Sequence, residues 1–249
     1  MVEVEIDFRK SARENAERYF SDAKKARRKS EAAEKALIRS MSAKPRPASK
    51  DKPVLRESGE WFEKFRWMTT SDGFLVIAGR DASQNEILFK KHAEPGDKIL
   101  HADISGAPLT LVRSGGKEVG LEALKEAAVL AACYSSAWKR GLGSVDVFWA
   151  DPDDVSKTPK AGEYLAKGSF IFHKRNFLKS IKLELAIGNA GGKIISGPEA
   201  AVRKQTDRYA LIRPGSKTQN EIANIIAKKI GAGVNDVQRK VPAGGSTVV

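Results

Sequence analysis

The middle of the chain scatters polar side chains through an apolar stretch: Arg80, Asp81, Asn85, His92, Asp97, His101 and Asp103. His101 and Asp103 stand two apart in a run that reads as a strand, so their side chains share a face. Such a pair can serve as a general base where a pocket brings it within about 3 Å of a transferable proton. Together with His92 it could begin a metal site, but a third ligand at strict spacing is missing and no metal is expected. The plainer role for His101 is a hydrogen bond that anchors a loop. The Asn85 amide can read an RNA base or phosphate, or cap a local turn.

Other chemistries find little support. There is no GxxxxGK(S/T) loop and no strand–GxGxxG–helix unit, so no nucleotide cofactor is expected. Cys133 is the single cysteine, which rules out an intrachain disulfide and a cysteine-based zinc cluster. Its Ala-rich surroundings mark it as a buried structural thiol. The first residues are charged, no apolar run approaches a membrane span of about 18 residues, and a cytoplasmic location is expected.

Charge points to an anionic partner. Lys and Arg number 44 against 31 Asp and Glu, a formal net charge of +13. Residues 61–154 hold 11 basic and 14 acidic side chains, whereas 155–249 hold 17 and 6. Residues 1–60 hold 16 and 11. An acidic core segment between basic flanks suits a domain with contact surfaces for phosphates. Lys24, Lys25, Arg27 and Arg28 form one basic run, and Lys174 and Arg175 follow an apolar FIF sequence where a strand should yield to a loop. Trp61, Phe65, Trp67, Phe74, Tyr134, Trp138, Phe148 and Trp149 could include a platform for stacked bases, although most sit at core-like positions.

These side chains need elements to hold them. Ser11 and Glu14 have capping-box spacing before a helix over 11–38, whose Ala-rich heptad seam is too thin to hold a strong coiled coil alone. The segment 42–58 is Pro-rich and reads as a linker. Beyond it, Phe74–Ala78 follows a turn at Asp72-Gly73, and strands at Ile99–Ile104 and Leu109–Arg113 flank a turn at Ser105-Gly106. A helix is expected from Gly116 to about Trp138, ended by Gly141, and then a strand at Val145–Trp149. Strict alternation of Ile181, Leu183, Leu185 and Ile187 predicts one strand with one buried face. Lys193–Ser196 and Tyr209–Arg213 are further strands. Thr218 with Glu221 caps a final helix whose apolar face is Ile222, Ile225, Ile226 and Ile230, and Gly231 ends it. The pattern implies an α+β fold, a mixed or antiparallel sheet partly covered by helices, preceded by a basic helix.

Three long stretches carry a family resemblance: WFEKFRWMTTSDGFLVIAGRDASQNEILFKKH at 61–92, GDKILHADISGAPLTLVRS at 96–114, and 134–176. They resemble the NFACT RNA-binding domain of the ribosome quality-control and fibronectin-binding-like proteins. Residues 6–37 resemble the returning end of the coiled-coil arm that precedes this domain in relatives.

The resemblance implies an RNA-binding adaptor for the large ribosomal subunit, its ribosomal RNA or tRNA, in the handling of stalled nascent chains. It divides the chain into a helical segment 1–41, a linker 42–58, an RNA-binding domain 59–240 and a flexible tail 241–249. Arg80, Asn85, His101, Lys157, Lys174 and Arg175 become RNA-contact candidates beside the basic helix. Asp72, Gly73, Gly79, Asp81, Asp97, Asp103, Gly106 and Asn176 become residues that shape the site. Relatives also carry a large N-terminal domain and a complete coiled-coil arm ahead of the matching region, which leaves three readings open: a separate chain supplies them as a partner, this is an autonomous short form, or the sequence is a fragment. Two other readings stay open at the level of sequence. One is an RNA- or nucleotide-processing enzyme using His101 and Asp103, and the other is an interaction module that pairs through its helix.

Overall fold

A computed structural model describes residues 6–8, 11–42, 60–158 and 165–249. The chain divides into two compact units, 1–57 and 58–249.

The first unit holds helix α1, Ala12–Ser42. Its start is fixed by reciprocal capping. Ser11 N donates to Glu14 Oε2 at 2.8 Å, and Glu14 N donates to Ser11 Oγ at 3.3 Å. Two backbone donors that the first turn would leave unpaired are thereby satisfied. Lys24, Lys25, Arg27 and Arg28 are all exposed, with Lys25 near Asp22 at 3.5 Å and Arg27 paired to Glu31 at 3.1 Å. The helix runs four residues past the expected end. Apart from Ser42, the Pro-rich linker lies outside the described residues.

The second unit is α+β. It opens with β1 (Arg66–Thr69), β2 (Leu75–Ala78), α2 (Ala82–His92), β3 (Lys98–Ala102) and β4 (Thr110–Val112). Helices α3 (Leu121–Cys133) and α4 (Ser136–Lys139) follow, then β5 (Ser144–Ala150) and a short pair, β6 (Val155–Ser156) with β7 (Ile171–Phe172). Next come β8 (Asn176–Lys182), β9 (Leu185–Ala190), β10 (Lys193–Gly197) and α5 (Glu199–Arg203). The chain closes with β11 (Tyr209–Lys217), α6 (Gln219–Ile230), α7 (Val234–Gln238) and β12 (Ser246–Val248). One antiparallel sheet has the order β1-β2-β4-β3-β5-β8, and a second has β10-β9-β11-β12.

The two-residue repeat of a strand divides the larger sheet between two cores. Val76, Leu100, Val112 and Val147 join the core built on α3, α6 and the smaller sheet. Ile77, Ile99, Leu111 and Phe148 join the opposite core, closed by Leu88 of α2 and Phe172 of β7. It is this second face that carries His101, which pairs in register with Phe148.

Several expectations are corrected. The helix expected from Gly116 to Trp138 is two helices, α3 and α4, separated at Tyr134-Ser135. The Ser135 hydroxyl accepts from Ala137 N at 3.1 Å and so starts a new helix where the old one stops. The single strand expected over Ile181–Ile187 is also two. Strand β8 belongs to the larger sheet and β9 to the smaller, while Leu183 and Leu185 on either side of the break enter one core. Ile225 is 41% exposed and so lies off the apolar face of α6, which Ala223 and Ala227 complete instead. Three further helices had not been expected, α2, α5 and α7. The tail expected to be flexible contains β12, whose Ser246 is fully buried and accepts from Trp138 Nε1 at 3.1 Å.

Candidate nucleic-acid interface

A groove of about 780 Å³ opens on the α2 face of the larger sheet. Its first wall begins at the end of β2, where Gly79 turns the chain into α2. Asp81 is extended and its carboxylate accepts from Gln84 N at 2.9 Å, the N-cap that fixes the helix start. Gly79 has no room for a side chain, because a Cβ there would overlap Asn85 Oδ1 and approach Asn85 N to 2.9 Å. That close approach lets Asn85 Oδ1 accept from Leu109 N at 3.2 Å, tying α2 to the start of β4. Arg80 is exposed at the rim, with Nε donating to Lys64 O and Nη2 to Phe65 O, both at 3.1 Å.

The floor is aromatic. His101 lies beside Phe148 and Phe172, with ring centroids 5.8 and 6.1 Å away. Burial, with help from the positive charge of Arg175, pushes the imidazole below the ordinary histidine range, against backbone contacts at Ala102 and Ala107 and the carboxylate of Asp103. His101 is therefore neutral at neutral pH and offers one ring N–H and one lone pair. Arg175 places its guanidinium carbon 4.9 Å over the Phe148 ring.

The far wall comes from the segment leading into β7. Gly168, at φ +77°, packs against the first turn of α2, where a Cβ would stand 2.6 Å from Ala82 Cα. Its N–H donates to Glu86 Oε1 at 3.0 Å, and Glu86 also pairs with Lys157. That lysine, aided by the Gly168 N–H, holds the Glu86 carboxyl below the usual range.

Five cations line the groove, Arg66, Arg80, Lys139, Lys167 and Arg175, against the carboxylates of Asp81 and Asp103. Of the sequence-predicted residues, Gly79, Arg80, Asp81, Asn85, His101, Asp103, Gly106 and Arg175 come together here. Lys157 and Lys174 do not line it, and Lys174 sits 3.5 Å from Asp154. Asp97 is 1% exposed and holds the fold, accepting from Ser114 N at 2.8 Å and Glu94 N at 3.0 Å and pairing with Arg113. Asp72 and Gly73 form the β1–β2 turn and, with His92, border a different hollow. His92 stacks on Trp61 at 3.9 Å. Asn176 Nδ2 donates to Trp149 O at 3.4 Å. Among the described residues no group of three or more His, Cys, Asp or Glu could hold a metal. Cys133 is buried, and that burial raises its thiol pKa far above the ordinary value.

Sequence reasoning missed Arg66, Lys139, Lys167 and Phe170. Lys139 falls just past the expected helix end at Trp138, Phe170 opens the FIF run, and Arg66 and Lys167 carry no local signal. Arg66 sits on the edge strand β1 with its guanidinium carbon 4.6 Å over the Tyr134 ring and Nη1 donating to Gly79 O at 2.9 Å.

Comparison with known proteins places the chain beside ribosome quality-control proteins. The family described as the NFACT protein RNA binding domain matches residues 64–174. The archaeal Rqc2 homolog aRqcH of Methanocaldococcus jannaschii is 38% identical over 206 residues, covering 80% of this chain and 31% of that protein. The ribosome quality control complex subunit NEMF homolog of Drosophila melanogaster is 37% identical over 195 residues, covering 74% of this chain and 20% of its own length. The human ribosome quality control complex subunit NEMF is 38% identical over 175 residues, with coverages of 66% and 16%. The chain thus spans less than a third of the length of these relatives. Among the described residues no helix is long and apolar enough to cross a membrane. Residues 64–174 therefore belong to the NFACT RNA-binding-domain family, and similarity to these relatives extends over most of the chain.

Proposed function

We propose that this chain is a non-catalytic RNA-binding adaptor acting on the large ribosomal subunit or tRNA in the quality control of stalled translation, in the cytoplasm. The observation that carries the reading is the groove, with five cations around an aromatic floor and two carboxylates. Cations suit the phosphates and supply affinity, while aromatic faces and the Arg175 guanidinium suit unstacked bases. Neutral His101 and the Asn85 amide can address base edges. Lys24, Lys25, Arg27 and Arg28 on α1 offer a second phosphate-contacting surface. The relatives named as ribosome quality control complex subunits support the choice of ribosomal RNA or tRNA.

The test is co-sedimentation and fluorescence binding of the full chain with large ribosomal subunits, tRNA and a random-sequence RNA at one salt concentration. Preference for subunits or tRNA over random RNA supports the adaptor. Equal binding to all three would leave only a general RNA binder, and cleavage of any of them by the pure chain would make it an enzyme.

A further inference from the structure

We propose that Lys193 and Lys240, which share the Trp67 ring where the two sheets meet, act with Arg66 and Arg80 at the neighbouring groove edge to bind a backbone phosphate of the single-stranded RNA whose bases occupy the groove. The proposal rests on the reading of the groove as an RNA site and extends it past the groove's edge.

The meeting point is tight. β1, the edge strand of the larger sheet, approaches β10 so closely that a Cβ on Gly197 would stand 2.9 Å from Met68 Sδ. Trp67 is buried there, with its ring 5.2 Å from Phe62. The ammonium of Lys193 lies 4.5 Å from the Trp67 ring centroid and that of Lys240 lies 4.8 Å from it. One indole therefore holds two cations, each attracted to its π-face but repelled by the other. The Tyr134 hydroxyl donates to Lys240 O at 2.6 Å, which ties the Lys240 backbone to the ring that also carries Arg66.

The positive charges are not balanced locally. Glu63 pairs with Lys193 at 2.7 Å, and Asp81 is engaged in capping α2. The Arg66 Nε–H finds no acceptor among the described residues. Lys240 is driven down to about 8, first by burial and then by the charges of Arg80 and Lys193. Burial likewise lowers Arg66, and the charge of Arg80 adds to it. Cations held together at such cost are relieved by an anion placed between them, and a phosphate offers several acceptors at once. Arg66 and Arg80 line the groove itself, so a strand with bases in the groove would carry its next phosphate to this cluster.

The test uses the full chain and a short single-stranded RNA of mixed sequence. In the double variant Lys193→Met with Lys240→Met the apolar stems are kept and the charges removed. Affinity should fall about tenfold at low salt, and the slope of log K against log salt should become shallower by about 0.7, the value for one lost phosphate contact on a single strand. In the unmodified chain the Lys240 ammonium, followed by NMR, should titrate higher once RNA is added, a readout that does not depend on the variant folding. Suppose the wild type binds RNA and Arg175→Ala weakens it, yet the double variant binds normally and Lys240 does not move. The cluster is then not the site, while the groove reading stands. Absence of any RNA binding by the wild type would remove both. Oligoglutamate bound in place of RNA, and lost in the double variant, would overturn the phosphate assignment in favour of an acidic peptide.

Discussion

Asn85 Oδ1 fills the space that a side chain would need at position 79, and from there it holds the Leu109 N–H at 3.2 Å. Glycine at 79 and asparagine at 85 are one device, joining the end of β2, the second turn of α2 and the start of β4. Gly79→Ala should cost about 1–3 kcal/mol, the usual penalty for overpacking a filled interior. Urea denaturation measures the loss, and RNA affinity should fall with it because Arg80 and Asn85 are both displaced. A variant as stable as wild type would show that the turn can yield.

Arg175 and Lys174 are neighbours in sequence with different surroundings. Arg175 lies over Phe148 inside the groove, whereas Lys174 sits outside it near Asp154. Arg175→Ala should weaken RNA binding by about tenfold, in keeping with the loss of a stacked, charged contact. Lys174→Ala should change it less than about twofold, since an exposed ion pair contributes little. Fluorescence anisotropy on both variants measures the contrast, and equal effects would contradict it.

How far the sequence could be read depended on whether a signal was local. The capping boxes at Ser11/Glu14 and Thr218/Glu221 and the left-handed Gly231 were legible because each is complete within a few residues. Helix α2 was not, since only Asn85 and Leu88 of its eleven residues are buried and no apolar stripe marks it. Asp81 was the available sign, an N-cap residue ahead of good helix formers. Alternation over Ile181–Ile187 was legible as β but concealed the change of sheet, because Leu183 and Leu185 enter one core across the break. Half of the groove was legible through family motifs that fall on α2 and on the loop after β3. Arg66, Lys139 and Lys167 were not, because tertiary folding alone brings residues about 100 positions apart onto one surface.

Stability should depend on pH through His101. Its folded-state pKa lies below the ordinary value near 6.5, mainly because it is buried. The unfolded chain therefore takes up the proton first. The contribution of the neutral imidazole is complete above about pH 6.5 and is lost as the pH falls from there through the folded-state value. Denaturation at pH 7.5 and 5.5 should show a loss of stability that is smaller in His101→Gln. An equal loss in wild type and variant would assign the dependence to other groups.

The C-terminal residues belong to the fold. β12 pairs with β11, and the fully buried Ser246 takes a hydrogen bond from Trp138. Ser246→Ala leaves the indole N–H without its partner, at a cost of about 1–3 kcal/mol. Thermal unfolding should register this as a drop in midpoint with cooperativity retained. No change would mean that the tail is detached in solution.

The most direct test of the account is the salt dependence of RNA binding by the full chain and by a variant with Lys139, Lys167 and Arg175 all changed to alanine. Between about 50 and 200 mM salt the wild type should lose affinity steeply, with a log–log slope of about −2 to −3.5 for three to five phosphate contacts on a single strand. The triple variant should bind more weakly and with a slope shallower by about 2, while unfolding at the same temperature. A flat dependence in the wild type, or the same slope and affinity in the triple variant, would contradict the assignment of this groove as the RNA site.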